Sequence, residues 1–371
     1  MDFKLFPKLL TQRHRTCGSR DAKFLRVNIS NNNFAPLRLC VIYFAIIIIF
    51  FISCKLSEPY RTETALGTAC TITLYEYGRA GIYNEVFSRI REIENLMSVN
   101  IPASDISRVN LYAGKSYIQV HEDTFKVIDR AIFYACLTYG AFDPTVGPLI
   151  NLWGIGKGNA RIPPRGEIEQ VLPLINWSNI VLDFNTNSVF LKQEGMSLDF
   201  GGIAKGYAAD AAVEVLKKAG INRALINLGG DIFVLGEKPD RSSWRIGIQH
   251  PFEERNVTIG YVQLQKDKAL VTSGIYERFF EKDEIRYHHI FNPANGYPTN
   301  NDFLSVIVIA DTAMDADAIS TAVFVLGYEK GIELLRVIQN AEAIFVFNDH
   351  SIRTTSGVNF TLTDNTFTFK N

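Results

Sequence analysis

The chain has 371 residues, 47% of them apolar and 12% aromatic, which is enough to fill one large core or two medium ones and excludes a disordered protein. Its formal charge of -1 hides an asymmetry, since residues 1–53 carry eight Lys or Arg against two Asp while the remainder carries thirty against thirty-seven. That mildly acidic remainder offers no basic face for nucleic acid.

The stretch 1–36 is polar, rich in Asn, Arg and Lys, and points to no function. Leu39 to Ile52 is then an unbroken apolar run of fourteen residues, preceded by Arg38 and followed by Ser53, Cys54 and Lys55. Such a run is short for a membrane span and fits the apolar core of a signal peptide. A small residue just before a cysteine, at the end of the run, resembles a bacterial lipoprotein cleavage box, with Cys54 as the lipidated first residue of the mature chain. Phe51 departs from the aliphatic residue usual three positions before that cysteine. An uncleaved membrane anchor and a buried core segment are the other readings. Beyond Cys54 only Cys70 and Cys136 remain, each among apolar neighbours. They are expected as buried thiols, one disulfide being the alternative, and no Cys spacing suits a metal.

Ala69 to Tyr75 alternates β-formers and reads as a strand. Tyr83 to Met97 places Val86, Ile90, Ile93 and Leu96 at helical spacing. A second helix is predicted over Glu122–Tyr139, with Phe125, Ile128, Ile132, Phe133 and Cys136 on one side and Gly140 as its stop. Strand signals follow at Ile180–Leu191, Arg223–Asn227, Ile232–Leu235, Trp244–Gln249, Thr258–Gln265, Lys268–Thr272, Phe279–Glu281 and Leu304–Ile309. Three long helices interrupt them, at Gly206–Ala219, Ala316–Leu326 and Glu329–Ile338. Runs of adjacent strands imply an α+β fold with largely antiparallel sheet rather than a doubly wound one.

Several constellations can carry chemistry. In Met196 to Asp210 an apolar strand ends in the pair Gly201-Gly202 and leads straight into a helix, with Asp199 before the turn and Lys205 inside it. Such a turn offers backbone groups to a phosphate, or serves chain geometry alone. Asp317 and Thr321 lie four apart at the start of a helix, so their oxygens share one face. Two hard oxygen ligands there suit Mg²⁺, which completes its shell with water and phosphate; the bland reading is that Asp315 and Asp317 favour the positive end of the helix. Val271-Thr-Ser-Gly274 puts hydroxyls and a glycine at a strand end, either as phosphate donors or as a plain hairpin connection. In His288-His289 adjacent side chains on a strand point to opposite faces, so at most one enters a given site, as a base or as a hydrogen-bonded structural group. Gly140 to Pro148 and Leu152-Trp-Gly154 are turn-rich and aromatic, and either clasp a planar ligand or cap the preceding helix.

Together these segments resemble the ApbE family of flavin transferases from about Leu66 to Leu335. The likeness rests on Leu66-Gly-Thr68, Ser104-Asp-Ile-Ser-Arg-Val-Asn110, Gly140 to Pro148, Leu198 to Gly206 and Asn227-Leu-Gly-Gly230. Val271 to Gly274 with Tyr276-Glu-Arg278, His288-His-Ile290 and Asp317-Ala-Ile-Ser-Thr321 complete it. The order and spacing of the set, not any one motif, make it specific. The resemblance implies a single α+β domain over 54–371, behind an extension and signal or anchor segment over 1–53. It implies an Mg²⁺-dependent enzyme that binds FAD, cleaves its pyrophosphate, passes FMN to a threonine or serine hydroxyl of a target protein and releases AMP.

By matched position, Asp317, Thr321 and the carbonyl of Gly202 are expected to hold the metal. Metal and Lys205 together would neutralise charge as the P–O bond breaks. Leu66, the Phe142–Asp143 turn, Asp199, Lys205 and Thr272, Ser273 and Gly274 would line the FAD site. His289 is the expected general base for the acceptor hydroxyl, with His288 as the alternative, and a histidine pKa near 6.5 would suit that transfer. Asn100 stands where many relatives carry an aromatic residue stacked on the flavin; asparagine stacks poorly, which predicts weaker product retention and hydrolysis of FAD to FMN and AMP. The implied acceptor belongs to a membrane redox complex, and the implied location is the periplasmic face of a bacterial inner membrane through lipidated Cys54. The rival classes are an FAD-binding lipoprotein without a competent metal pair, and a thiamine-biosynthesis or structural surface lipoprotein with no FAD affinity.

Overall fold

The computed structural model describes residues 59–76 and 80–370. The apolar run 39–52 and Cys54 lie outside the described residues. Among the described residues no helix is long and apolar enough to cross a membrane.

A hairpin comes first, β1 (Tyr60–Ala65) and β2 (Thr68–Leu74), turning through Leu66 and Gly67, both at positive φ. Three helices follow: α1 (Ala80–Met97), α2 (Asp105–Leu111) and, after the short β3 (Ile118–Gln119), α3 (Glu122–Leu137). Ser104 caps α2 by accepting from Ser107 N at 3.0 Å. Two seven-residue helices, α4 (Gly147–Trp153) and α5 (Arg165–Val171), lead to β4 (Ile180–Asp183) and β5 (Ser188–Leu191). The single strand expected over 180–191 is therefore a hairpin. Asp183 breaks it by accepting from Asn185 N at 2.9 Å and Thr186 Oγ1 at 2.8 Å.

The chain continues through α6 (Ala204–Lys218), β6 (Ala224–Leu228), β7 (Asp231–Leu235), β8 (Trp244–Gln249), β9 (Thr258–Leu264) and β10 (Lys268–Gly274). Next are β11 (Phe279–Lys282), β12 (Ile285–His288), β13 (Phe303–Ala310), α7 (Ala313–Leu326) and α8 (Tyr328–Val337). β14 (Glu342–Phe347), β15 (Ser351–Thr354), β16 (Phe360–Leu362) and β17 (Thr368–Phe369) finish it.

Nine strands form the main sheet in the order β1-β2-β6-β7-β10-β13-β14-β15-β17. Every neighbouring pair in it is antiparallel except β15 with β17. This is the expected α+β architecture. Every residue of β13 is buried because the sheet is covered on both sides. Val306 and Val308 join the core under α1, α3, α6 and α7, while Ile307 and Ile309 pack with Trp244, Ile246 and Val262 of the β16-β9-β8 sheet.

The buried face of α3 differs from the expected one. Phe125 and Ile128 face the core with Ala131, Tyr134 and Ala135, whereas Phe133 and Cys136 are exposed. Small alanines let the helix seat closely, and this rotates the larger Phe133 outward, where Arg130 covers its ring at 4.6 Å. Cys70 is buried as expected, Cys136 is not, and both are free.

Candidate active site

Three segments of the sequence meet at the start of α6. Ser197 bridges Val146 in parallel, Asp199 N donates to Pro144 O at 2.9 Å, and Gly147 N donates to Ser197 O at 3.1 Å. A Cβ on Gly147 would stand 2.6 Å from that same oxygen, so only glycine permits the approach. Asn110 clamps the far side, its Oδ1 accepting from Leu198 N at 2.7 Å and its Nδ2 donating to Leu198 O at 3.0 Å. Asp199 then folds back, Oδ1 accepting from Gly201 N at 2.8 Å, and this tightens the turn that aims α6.

α6 packs on α7 closely enough that a Cβ on Gly206 would lie 2.1 Å from Ala313 O. At this crossing each helix supplies a carboxylate to the other's first turn. Gly206 N donates to Asp317 Oδ2 at 3.1 Å, while Ala313 N and Met314 N donate to Asp210 at 2.8 and 2.9 Å. Asp317 thus serves the start of α6 and not that of its own helix. Asp315 bonds to Arg130 at 2.7 Å.

Lys205 sits between two buried carboxylates. Its Nζ is hydrogen-bonded to Asp231 Oδ2 and lies 4.0 Å from Asp317 Oδ1. Burial by itself pulls the ammonium down, but Asp231 and Asp317 reverse this and hold it well above the usual lysine range. Burial pushes the Asp317 carboxyl up, and Lys205, shared with Asp231, offsets only part of that. The trio carries one net negative charge when both carboxyls are ionised, so it is poised to take another cation. Asp231 was not singled out from sequence; the signal was its place directly after Gly229-Gly230.

Thr321 lies one turn along α7 from Asp317. A Cβ on Gly202 would meet Thr321 Oγ1 at 2.8 Å and come within 3.5 Å of the Phe142 ring. The bare backbone at Gly202 therefore reaches the Thr321 hydroxyl. Ser273 approaches from the sheet, its Oγ 2.9 Å from Ser320 Oγ and 3.5 Å from Thr321 Oγ1. Strand alternation puts Thr272 on the opposite face, and a Cβ on Gly274 would stand 3.0 Å from the Tyr276 ring. One carboxylate and one hydroxyl on a shared face of α7, with bare backbone at Gly202 in a cradle that a Cβ would fill, make a hard-oxygen donor set, and this fits Mg²⁺.

The other expected residues stand farther from this cluster or are engaged in structure. Asp143 is buried and accepts from Thr145 N, Thr145 Oγ1 and Trp177 N at 2.8, 2.6 and 3.2 Å. Its carboxylate is fully used in shaping the turn, and burial raises its pKa. Leu66 sits in the β1–β2 turn, whose Thr68 hydroxyl would be 2.4 Å from a Cβ on Gly229; this sets the turn beside the one leading to Asp231. Asn100 is exposed, its N–H held by Ser98 Oγ at 3.2 Å.

The two histidines differ sharply. His288 is buried, its Nε2 2.8 Å from Thr299 O and its Nδ1 accepting from Ile290 N at 3.3 Å, so both nitrogens are occupied. His289 is held by Arg278 O through its N–H at 3.1 Å and its Nδ1 at 3.2 Å. A carbonyl partner assigns the proton to Nδ1 and leaves the Nε2 lone pair free. His289 keeps some exposed surface yet is densely surrounded. Burial, with the Arg278 charge behind it, pushes its pKa down to about 3 and not toward the expected value near 6.5.

A model of the ApbE family matches residues 66–345. An FAD:protein FMN transferase of Treponema pallidum is 36% identical over 321 residues, covering 82% of this chain and 88% of that protein. One from Klebsiella pneumoniae is 38% identical over 287 residues, covering 77% and 88%. Among solved structures, the ApbE protein of Thermotoga maritima aligns with a TM-score of 0.73 at 33% identity over 80% of this chain and 96% of that one. Flavin transferase ApbE from Vibrio cholerae aligns with a TM-score of 0.70 at 28% identity, over 83% and 97%.

Proposed function

The chain belongs to the ApbE family, and on that premise we propose that it is an Mg²⁺-dependent FAD:protein FMN transferase acting on a threonine or serine hydroxyl. The observation that carries this reading is the meeting of Asp317, Thr321 and Gly202 beside the Lys205–Asp231 pair, built from segments over a hundred residues apart. Asp317, Thr321 and the Gly202 carbonyl would hold Mg²⁺, which when bound supplies Lewis-acid polarisation of the diphosphate.

Lys205 is fixed by Asp231, and its ammonium is aimed at the same place, so the charge that develops on phosphate oxygens meets a donor already in position. Ser273, facing Thr321, adds a hydroxyl donor at the sheet end. His289 Nε2 is the acceptor for the proton of the attacking hydroxyl, and the Arg278 carbonyl holds the ring in the required tautomer. The hydroxyl oxygen bonds to the FMN phosphorus, the P–O bond to the bridging oxygen breaks, and AMP leaves with the electron pair.

Leu66, the Phe142–Asp143 turn, Asp199, Asn100 and Thr272 to Gly274 complete the proposed FAD site, Asp143 and Asp199 by shaping backbone. Exposure at Asn100 favours a second activity on the same site, with water replacing the protein hydroxyl. Lipidated Cys54 would place the enzyme at the periplasmic face of the inner membrane, beside acceptors in membrane redox complexes. The test is to incubate the purified protein with FAD, Mg²⁺ and a threonine-containing acceptor peptide, then measure peptide mass and AMP. An FMN adduct with equimolar AMP is expected; neither product at saturating Mg²⁺ would overturn the proposal.

A further inference from the structure

The geometry points to Arg278 as the cation that grips the adenylate-side phosphate of FAD, a role that rests on FAD being the substrate. Lys205 gives the diphosphate one donor, but Asp231 and Asp317 both draw on its single charge. A diphosphate carries a negative charge on each phosphate, so a second cationic side chain would complement the phosphate that Lys205 does not face. Among the described residues, Arg278 has an exposed side chain with no carboxylate bonded to its guanidinium. Its neighbour Glu277 is paired elsewhere, 3.4 Å from Arg255.

The backbone of Arg278 is not mobile surface. Its carbonyl accepts from His289 N at 3.1 Å and faces His289 Nδ1 at 3.2 Å, which ties it to the proposed base. Its aliphatic stem runs over Gly156, where a Cβ would stand 3.2 Å from Arg278 Cδ; with φ at +80° that glycine gives the stem a groove. The guanidinium is close enough that its charge acts on Lys205, Asp317 and His289 alike. A planar fork of donors placed there matches a phosphate, and an N–H to the leaving phosphate strengthens as AMP takes up the electron pair of the broken P–O bond.

The experiment compares FAD with FMN, which lacks the adenylate phosphate. Affinities of wild-type, Arg278→Met and Arg278→Lys protein for each flavin are measured by calorimetry with Ca²⁺ in place of Mg²⁺ and no acceptor, the recovered flavin being checked by mass as intact. Arg278→Met is expected to weaken FAD about tenfold to hundredfold while leaving FMN unchanged, with Arg278→Lys recovering part of the loss. Equal losses for both flavins would assign Arg278 a structural role and overturn the inference, as would no loss for either. FMN binding also reports that the variant is folded. A wild-type protein that shows the FAD-selective Arg278 effect but modifies no acceptor peptide would defeat the transferase proposal and leave this one standing. Wild-type protein that binds no FAD would defeat both.

Discussion

The Gly206 N–H donates to Asp317 Oδ2 at 3.1 Å, so one carboxylate both begins α6 and stands at the proposed metal position. Asp317→Asn separates those duties. The amide oxygen still accepts from Gly206, while the charge beside Lys205 is lost. AMP release in Mg²⁺ should fall at least about a hundredfold, with stability within about 1 kcal/mol of wild type by denaturant titration. Retained activity would remove Asp317 from the mechanism.

Gly202→Ala tests the carbonyl and hydroxyl pair without touching charge. The new methyl would sit 2.8 Å from Thr321 Oγ1, so the hydroxyl must move. The Mg²⁺ concentration for half-maximal activity should rise about tenfold or more. An unchanged Mg²⁺ dependence would place the metal elsewhere.

Gly206→Ala acts on the packing of α6 against α7. A Cβ 2.1 Å from Ala313 O forces α6 and α7 apart, at a cost of about 1–3 kcal/mol in unfolding free energy or more. Because the contact is backbone, no rotamer change relieves it. Urea midpoints of wild type and variant provide the measurement.

The pH profile should not carry a limb from His289. Its pKa is pushed down to about 3, so Nε2 stays unprotonated throughout pH 5–8 and lowering the pH across that range does not remove the base. An acid limb should come from Asp317, whose pKa is raised: protons occupy the carboxylate as pH falls, and Mg²⁺ competes with them. Raising Mg²⁺ should therefore move the limb to lower pH. A limb near 6.5 that ignores Mg²⁺ would contradict this assignment.

Asp210 gives a stability counterpart. Burial outweighs its two backbone donors and pushes its pKa up to about 6, above the ordinary carboxyl value. For a raised acid the contribution to stability is greatest below the unfolded pKa and declines as pH rises through the folded one. Between pH 4 and 7 the unfolding free energy of wild type should drop more than that of Asp210→Asn, which cannot ionise. Parallel curves would show that Asp210 titrates normally.

Much of the site could be read from sequence because its parts are local. The spacing of Asp317 and Thr321 fixes a shared helix face, and a glycine pair before a helix announces bare backbone. Asp231 and Asp210 escaped because their partners, Lys205 and the start of α7, come near only through tertiary packing. His288 and His289 do take different environments, but β12 ends at His288, so alternation along a strand is not what separates them. Burial lowers both pKa values, with Arg286 behind His288 and Arg278 behind His289, and no spacing encodes that. The α+β architecture was legible from adjacent strand signals. The face of α3 was not, because Ala131 and Ala135 carry little hydrophobic signal and still decide how closely the helix can seat.

The exchange of carboxylates between α6 and α7 means that neither helix has a finished N-terminus until the other arrives. A chain lacking the segment that forms either helix leaves the other's first-turn backbone donors without these carboxylates. The seat of α6 and the carboxylate beside Lys205 are thus delivered together, by one side chain, when α7 docks.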